Sequence, residues 1–131
     1  MQNQLIELHD SIIEHASILS DSLVLTLSAN VHRSHGQPGL HPGTVWRQRA
    51  ILTFFRVENP SVREFPATIG DGTLGVGMVT FHNLVPTEGS FTEGIHFSVT
   101  LDDGKTYELK SEGLRLELEG APEFIENFPE P

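Results

Sequence analysis

The sequence predicts an all-β, or mainly β, domain: a single antiparallel β-sandwich or partly open barrel of about six or seven strands. Three observations predict it. Apolar and polar residues alternate with a period of two in several separate runs, the mark of half-buried strands. Turn-forming residues separate those runs at short intervals, which favours antiparallel neighbours. No fixed-period repeat and no Gly/Ser linker divides the 131 residues, so residues 1–131 read as one domain.

The first element is the ambiguous one. Leu5, Leu8, Ile12, Ala16 and Leu19 fit a helical stripe, whereas Ile12, Glu14, Ala16 and Ile18 fit a strand. The Ser20-Asp21-Ser22 break lies directly before the next strand, and so short a connection favours a hairpin, hence a strand over about 11–19 with a short helix as the alternative. Leu23 to Val31 then places Leu23, Leu25, Leu27, Ala29 and Val31 on one face. His32 to Gly43 reads as a long turn-rich connection, and Val45 to Val57 as a strand rich in branched and aromatic residues.

Val76 to Phe81 is expected to be a further strand, with Gly75 and Gly77 marking a bulge or close backbone approach. Tight turns account for the glycines from Gly70 onward, which lack the Gly-Lys-Ser/Thr of a phosphate-binding loop. Ile95 to Leu101 alternates cleanly into Asp102-Asp103-Gly104, and Lys105 to Leu109 follows at once; Gly104 supplies the positive φ of a type I′ hairpin. Leu114 to Glu119 alternates apolar with charged residues. Pro122, Pro129 and Pro131 then predict a Pro-rich C-terminal tail over 122–131 that forms no regular strand. Phe124 and Phe128, with Ile125 between them, suggest that this tail docks on its own domain, or else on a partner such as a second copy of the chain.

Composition excludes several function classes. With no Cys there is no disulfide framework, thiolate zinc site or cysteine nucleophile. No apolar run approaches the roughly 20 residues of a membrane helix, and Met1-Gln2-Asn3-Gln4 opens no basic leader, so a cytoplasmic protein without membrane partners is expected. The net charge of −10 is unevenly divided: −4 over residues 1–31, +4 over 32–63 and −10 over 64–131. Every base of the middle third is arginine (Arg33, Arg47, Arg49, Arg56 and Arg63), the side chain best suited to pairing with carboxylates or stacking on rings. Pairing with acidic strands of the same sheet is the expected use of these arginines, and a face for an anionic ligand the sharper one. Nucleic acid is disfavoured as a partner, because the chain repels a phosphate backbone.

The candidate binding residues are His9, Asp10, His32, Arg33, His35, His41 and Trp46. If a divalent metal binds, His32, His35 and His41 are its expected ligands, since clustered imidazoles take Zn, Ni or Cu. Their loop spacing fixes no geometry, unlike His-Glu-x-x-His on a helix, and no cofactor is expected. His9-Asp10-Ser11 holds the letters of a hydrolase triad, but consecutive side chains cannot form the nucleophile–base–orienter relay. Capping or turn chemistry explains Asp10 and Ser11 better.

Leu8-His9-Asp10-Ser11, the strand ending in His32, then Gly43, Trp46 and Gln48, and the Asp-Asp-Gly hairpin before Leu114–Glu119 together resemble a group of small uncharacterised bacterial β-domain proteins, some of them immunity-protein-like. The resemblance covers most of the chain. It implies a compact β fold and a binding role, and it transfers no catalytic residue. A non-enzymatic protein-binding module, acidic and homodimeric, is therefore the expected function. A metal- or small-molecule-binding protein, hydrolytic in one version, built on the His-rich loop is the alternative.

Overall fold

A computed structural model describes residues 2–59 and 63–129. Pro131, the last proline of the expected tail, lies outside them. All regular structure in the described residues is β. The strands are β1 (Asn3–Leu19), β2 (Ser22–Ser34), β3 (Gly43–Phe55), β4 (Ala67–Val76), β5 (Val79–His82), β6 (Leu84–Pro86), β7 (Gly89–Phe91), β8 (Ile95–Leu101), β9 (Thr106–Ser111) and β10 (Gly113–Phe128). They form one open antiparallel sheet in the order β7-β10-β3-β2-β1-β4-β8-β9, with β5 on β4 and β6 on β1. The count is ten rather than six or seven, because the short strands β5 to β7 carry too few residues to show a period.

The sheet curls on itself around the alternate residues of its long strands. Leu23, Leu25 and Leu27 of β2 stand beside Phe54, Leu52 and Ala50 of β3, which stand beside Leu114, Leu116 and Leu118 of β10. Phe54 meets Phe97 of β8 across the core, with ring centroids 5.5 Å apart, although three strands separate β3 from β8 in the sheet. Both phenylalanines are fully buried.

One ambiguity is resolved and three expectations need correction. The first element is a strand throughout, because both of its edges are used: β2 pairs along one, while β6 and then β4 share the other. The apparent helical stripe comes from an irregularity between Glu7 and Ile12 that shifts the alternation. The connection expected from His32 begins only at His35, since β2 and β3 stay paired out to Ser34 and Gly43. Glycines 70, 72 and 75 lie within β4, with a register shift between Ile69 and Asp71, and the expected strand at Val76 is the β4–β5 hairpin instead.

The Pro-rich segment is strand almost to its end. Pro122 is tolerated because it falls in a bulge between the pairs Glu119↔Arg49 and Glu123↔Arg47, where no ladder donor is lost. Gly120, at φ 78°, begins the detour. The expected self-docking is thus a β-ladder along β3.

The β8–β9 hairpin stands where Asp-Asp-Gly places it, with a different turn. Among its loop residues only Gly104 has a positive φ, and its N–H donates to the Leu101 carbonyl (2.9 Å). That is a three-residue loop closed by a left-handed glycine rather than a type I′ turn. Asp103 accepts the Lys105 N–H at 2.9 Å and the Arg63 guanidinium at 3.1 Å; the backbone donor first, then the arginine, holds its carboxyl below the usual range.

Candidate functional site

His9, Asp10 and Ser11 occupy the irregularity in β1, where residues 8–11 stand opposite the single residue Ala29. Asp10 takes the left-handed conformation at φ 67°. Ser11 is fully buried; its hydroxyl donates to the Glu7 carbonyl at 2.6 Å and accepts the Asn30 N–H at 3.0 Å. It fills the two ladder positions that the bulge vacates. Asn30 Nδ2 donates to the His9 carbonyl, and the side-chain and main-chain oxygens of Asn83 take the N–H groups of His9 and Leu8 (both 2.7 Å). Ser11 therefore plugs a bulge and is not placed as a nucleophile.

The His9 ring points to the β4 side, with Nδ1 at 2.5 Å from the Gly70 carbonyl and Nε2 at 3.4 Å from Asp10 Oδ2. The protonated ring donates to that carbonyl, so the hydrogen bond to Gly70 raises the His9 pKa. Asp10, Glu7 and Asp71 add to the rise, and partial desolvation opposes it.

The other candidates lie elsewhere. His32 is buried in β2, its Nε2 3.3 Å from Glu7 Oε2 and its ring edge-on to Phe128 at 5.1 Å. His41 belongs to a loop braced by its own polar groups. The Gln37 N–H donates to His41 Nδ1 at 2.7 Å, and the Ser34 hydroxyl donates to the Pro42 carbonyl at 2.8 Å. His35 is exposed in the same loop. Among the described residues no group of three or more His, Asp or Glu is arranged to hold a metal ion, so His32, His35 and His41 do not converge as ligands. One histidine faces Glu7 under a phenyl ring, another spends its Nδ1 on the loop, and the third points to solvent.

Arg33 and Trp46 do meet. The guanidinium stacks over the indole at 4.8 Å, Trp46 Nε1 donates to Thr44 Oγ1, and Phe124 packs edge-on to the indole at 5.4 Å. Trp46 is therefore half-buried by β10 rather than presented to a ligand. The remaining arginines divide between acids and backbone: Arg49 pairs with Glu119 (3.4 Å), Arg56 with Glu112 (3.2 Å) and Arg63 with Asp103 (3.1 Å), while Arg47 donates to the Ser28 carbonyl (3.0 Å). Three of the five thus pair with carboxylates of the acidic C-terminal part, but only Arg49 with Glu119 does so between neighbouring strands; Arg56 with Glu112 and Arg63 with Asp103 join residues outside the strands.

Two surfaces escaped the sequence. One is the outer edge of β10. Beyond Leu116, where β7 stops, this edge pairs with no strand among the described residues. From there to Phe128 the strand carries Glu117, Glu119, Glu123 and Glu126 with no Lys or Arg, and Phe124 and Ile125 are 49% and 45% exposed. The acidic alternation was visible in the sequence, but the prolines hid that it continues as a strand. The other surface is an open groove of about 670 Å³ between β7 and the β9–β10 corner, with Phe55, Phe91, Arg56 and Arg115 among its lining. Those residues come from separate parts of the chain and carry no motif. The chain matches no protein-family model, no curated protein and no solved structure.

Proposed function

We propose that this chain is a non-enzymatic binding module that takes up a basic, extended segment of a partner protein along the outer edge of β10. The observation that carries the reading is that open edge with its run of carboxylates. A free strand edge is a template for one more strand: main-chain hydrogen bonds supply affinity, and side chains on alternate positions supply selectivity. Carboxylates along it favour Lys- or Arg-bearing segments and speed their arrival in a chain of net charge −10. The bulges at residues 120–122 and 125 interrupt the edge and limit indiscriminate pairing.

A second copy is a poorer occupant, because antiparallel self-pairing sets one row of carboxylates against another. The immunity-like resemblance points the same way, since such domains neutralise partners that are often basic.

The test uses isotope-labelled full chain titrated with a short alternating Lys-Val peptide. Amide shifts along residues 117–128, an affinity that falls as salt is raised, and at least tenfold weaker binding by the Glu117→Lys/Glu119→Lys/Glu123→Lys variant are expected. Shifts confined to another surface, or unchanged binding by the variant, overturn the proposal.

A further inference from the structure

The groove at the start of β10 has the features of a ligand site of a different kind. Its volume, about 670 Å³, lies within the range of pockets that hold small organic molecules. Two phenyl rings supply apolar surface: Phe55 is 37% exposed, and Phe91 is half-buried on the edge strand β7. The floor is kept open by Gly113. A Cβ there would sit 3.0 Å from the Phe91 carbonyl oxygen and 3.6 Å from the Phe55 ring, so a side chain would fill the groove from below.

Polar groups then fix which ligand fits. Arg115 lies over Phe55 with its guanidinium carbon 5.8 Å from the ring centroid, which holds the cation beside the apolar wall. Arg56 stands at the same mouth, tied to Glu112 at 3.2 Å by an exposed pair that contributes little by itself. The charged lining is two arginines and one glutamate, a net positive spot on a chain of net charge −10. Ser90 and Thr92 add hydroxyl-bearing side chains to the lining.

We infer that this groove binds a small amphipathic carboxylate, an acyl or aryl acid whose apolar body lies between Phe55 and Phe91 and whose carboxylate is held by Arg115. A guanidinium presents paired donors that match both carboxylate oxygens, so the acid is preferred over a neutral molecule of the same shape. The ligand is distinct from the basic segment assigned to the β10 edge, and the two readings stand or fall separately.

Decanoate and decan-1-ol are the probes. In a titration of the isotope-labelled full chain, decanoate shifts the amides of Phe55, Phe91, Gly94 and Gly113, with a Kd on the order of 0.1–1 mM for so small a ligand. Decan-1-ol binds about tenfold more weakly at the same residues. Arg115→Gln, an exposed change, weakens decanoate about tenfold and leaves decan-1-ol unaltered, while Thr92→Trp, which fills the groove, weakens both. Equal affinity for acid and alcohol, unchanged binding by Arg115→Gln, shifts at other residues, or no shift with decanoate each overturn the inference.

Discussion

Replacing Ser11 by alanine separates a structural serine from a chemical one. The Ser11 hydroxyl is fully buried, accepts the Asn30 N–H at 3.0 Å and donates to the Glu7 carbonyl at 2.6 Å. Alanine keeps the backbone and the volume nearly intact but leaves both main-chain groups without their partner. An orphaned buried donor costs about 1–3 kcal/mol and a partly buried acceptor somewhat less, so Ser11→Ala should lose about 3 kcal/mol. For a domain of this size that is a large share of the roughly 5–15 kcal/mol available, and it lowers Tm by about 10 °C. Urea unfolding read from Trp46, the single tryptophan, measures the loss directly. Asp10→Gly supplies the contrast. Asp10 already tolerates φ 67°, and the relief that glycine brings there is offset by its greater freedom in the unfolded chain, so the change should stay within about 0.5 kcal/mol. A Ser11→Ala variant as stable as the parent would refute the plug.

Four further outcomes follow from the packing and the ionisable groups. Gly43→Ala places a Cβ 1.9 Å from the Arg33 carbonyl oxygen, so the β2–β3 pair must separate, and chemical denaturation should show a loss of about 3 kcal/mol. Phe97→Ala removes a fully buried ring from the contact with Phe54 and should cost about 3–5 kcal/mol in the same assay. Tyr107, the single tyrosine, has its pKa pushed up to about 12 by burial, so alkaline difference absorbance should show only about a tenth of the tyrosinate signal at pH 11. The unfolded phenol ionises near pH 10, so this group's contribution to stability falls as pH rises above that value. The raised pKa of His9 acts in the neutral range: its contribution is complete below about pH 6.5 and is lost as pH rises through the folded value. With its side chain 53% exposed the effect is under about 0.5 kcal/mol, and it appears as a difference in urea midpoint between parent and His9→Asn that shrinks toward pH 8.

The legible parts of the fold are those where the pleat and the burial share one period. Leu23 to Val31, Ile95 to Leu101 and Leu114 to Glu119 alternate because one face is buried and the other wet, and each is a strand at those positions. Where a bulge inserts residues, the period slips, and the sequence misleads. The insertion at residues 8–11 makes β1 look half helical, and the bulge around Pro122 makes the end of β10 look like a tail. A proline is excluded from a strand only where its N–H would serve a ladder, and sequence alone does not reveal which positions those are. The candidate site suffered from a related problem. The spacing of His32, His35 and His41 leaves their convergence open, and pairing of β2 with β3 out to Ser34 buries the first and leaves the other two in the loop beyond. Arg33 and Trp46 flank the same loop in the sequence, and it is the pairing of β2 with β3 that brings them into contact. Phe55, Phe91 and Arg115 were missed because only the fold brings them together.

The division of charge acquires a mechanical meaning once β3 is seen between β2 and β10. Its arginines act inward on their own sheet, and β10 carries Glu117, Glu119 and Glu123 along one outer edge. Arg49 draws on Glu119, and Glu123 stands opposite Arg47, whose guanidinium is already committed to the Ser28 carbonyl. Glu117 stands opposite Ile51, which offers no charge at all. A basic segment arriving at the edge must compete with Arg49 for Glu119 but meets no cross-strand rival at Glu117. Exposed competing pairs exchange at little cost, so the whole row stays usable by an incoming cation while remaining repulsive to a second copy of itself. An edge of this kind discriminates by charge before it discriminates by shape, as the binding role proposed for it requires.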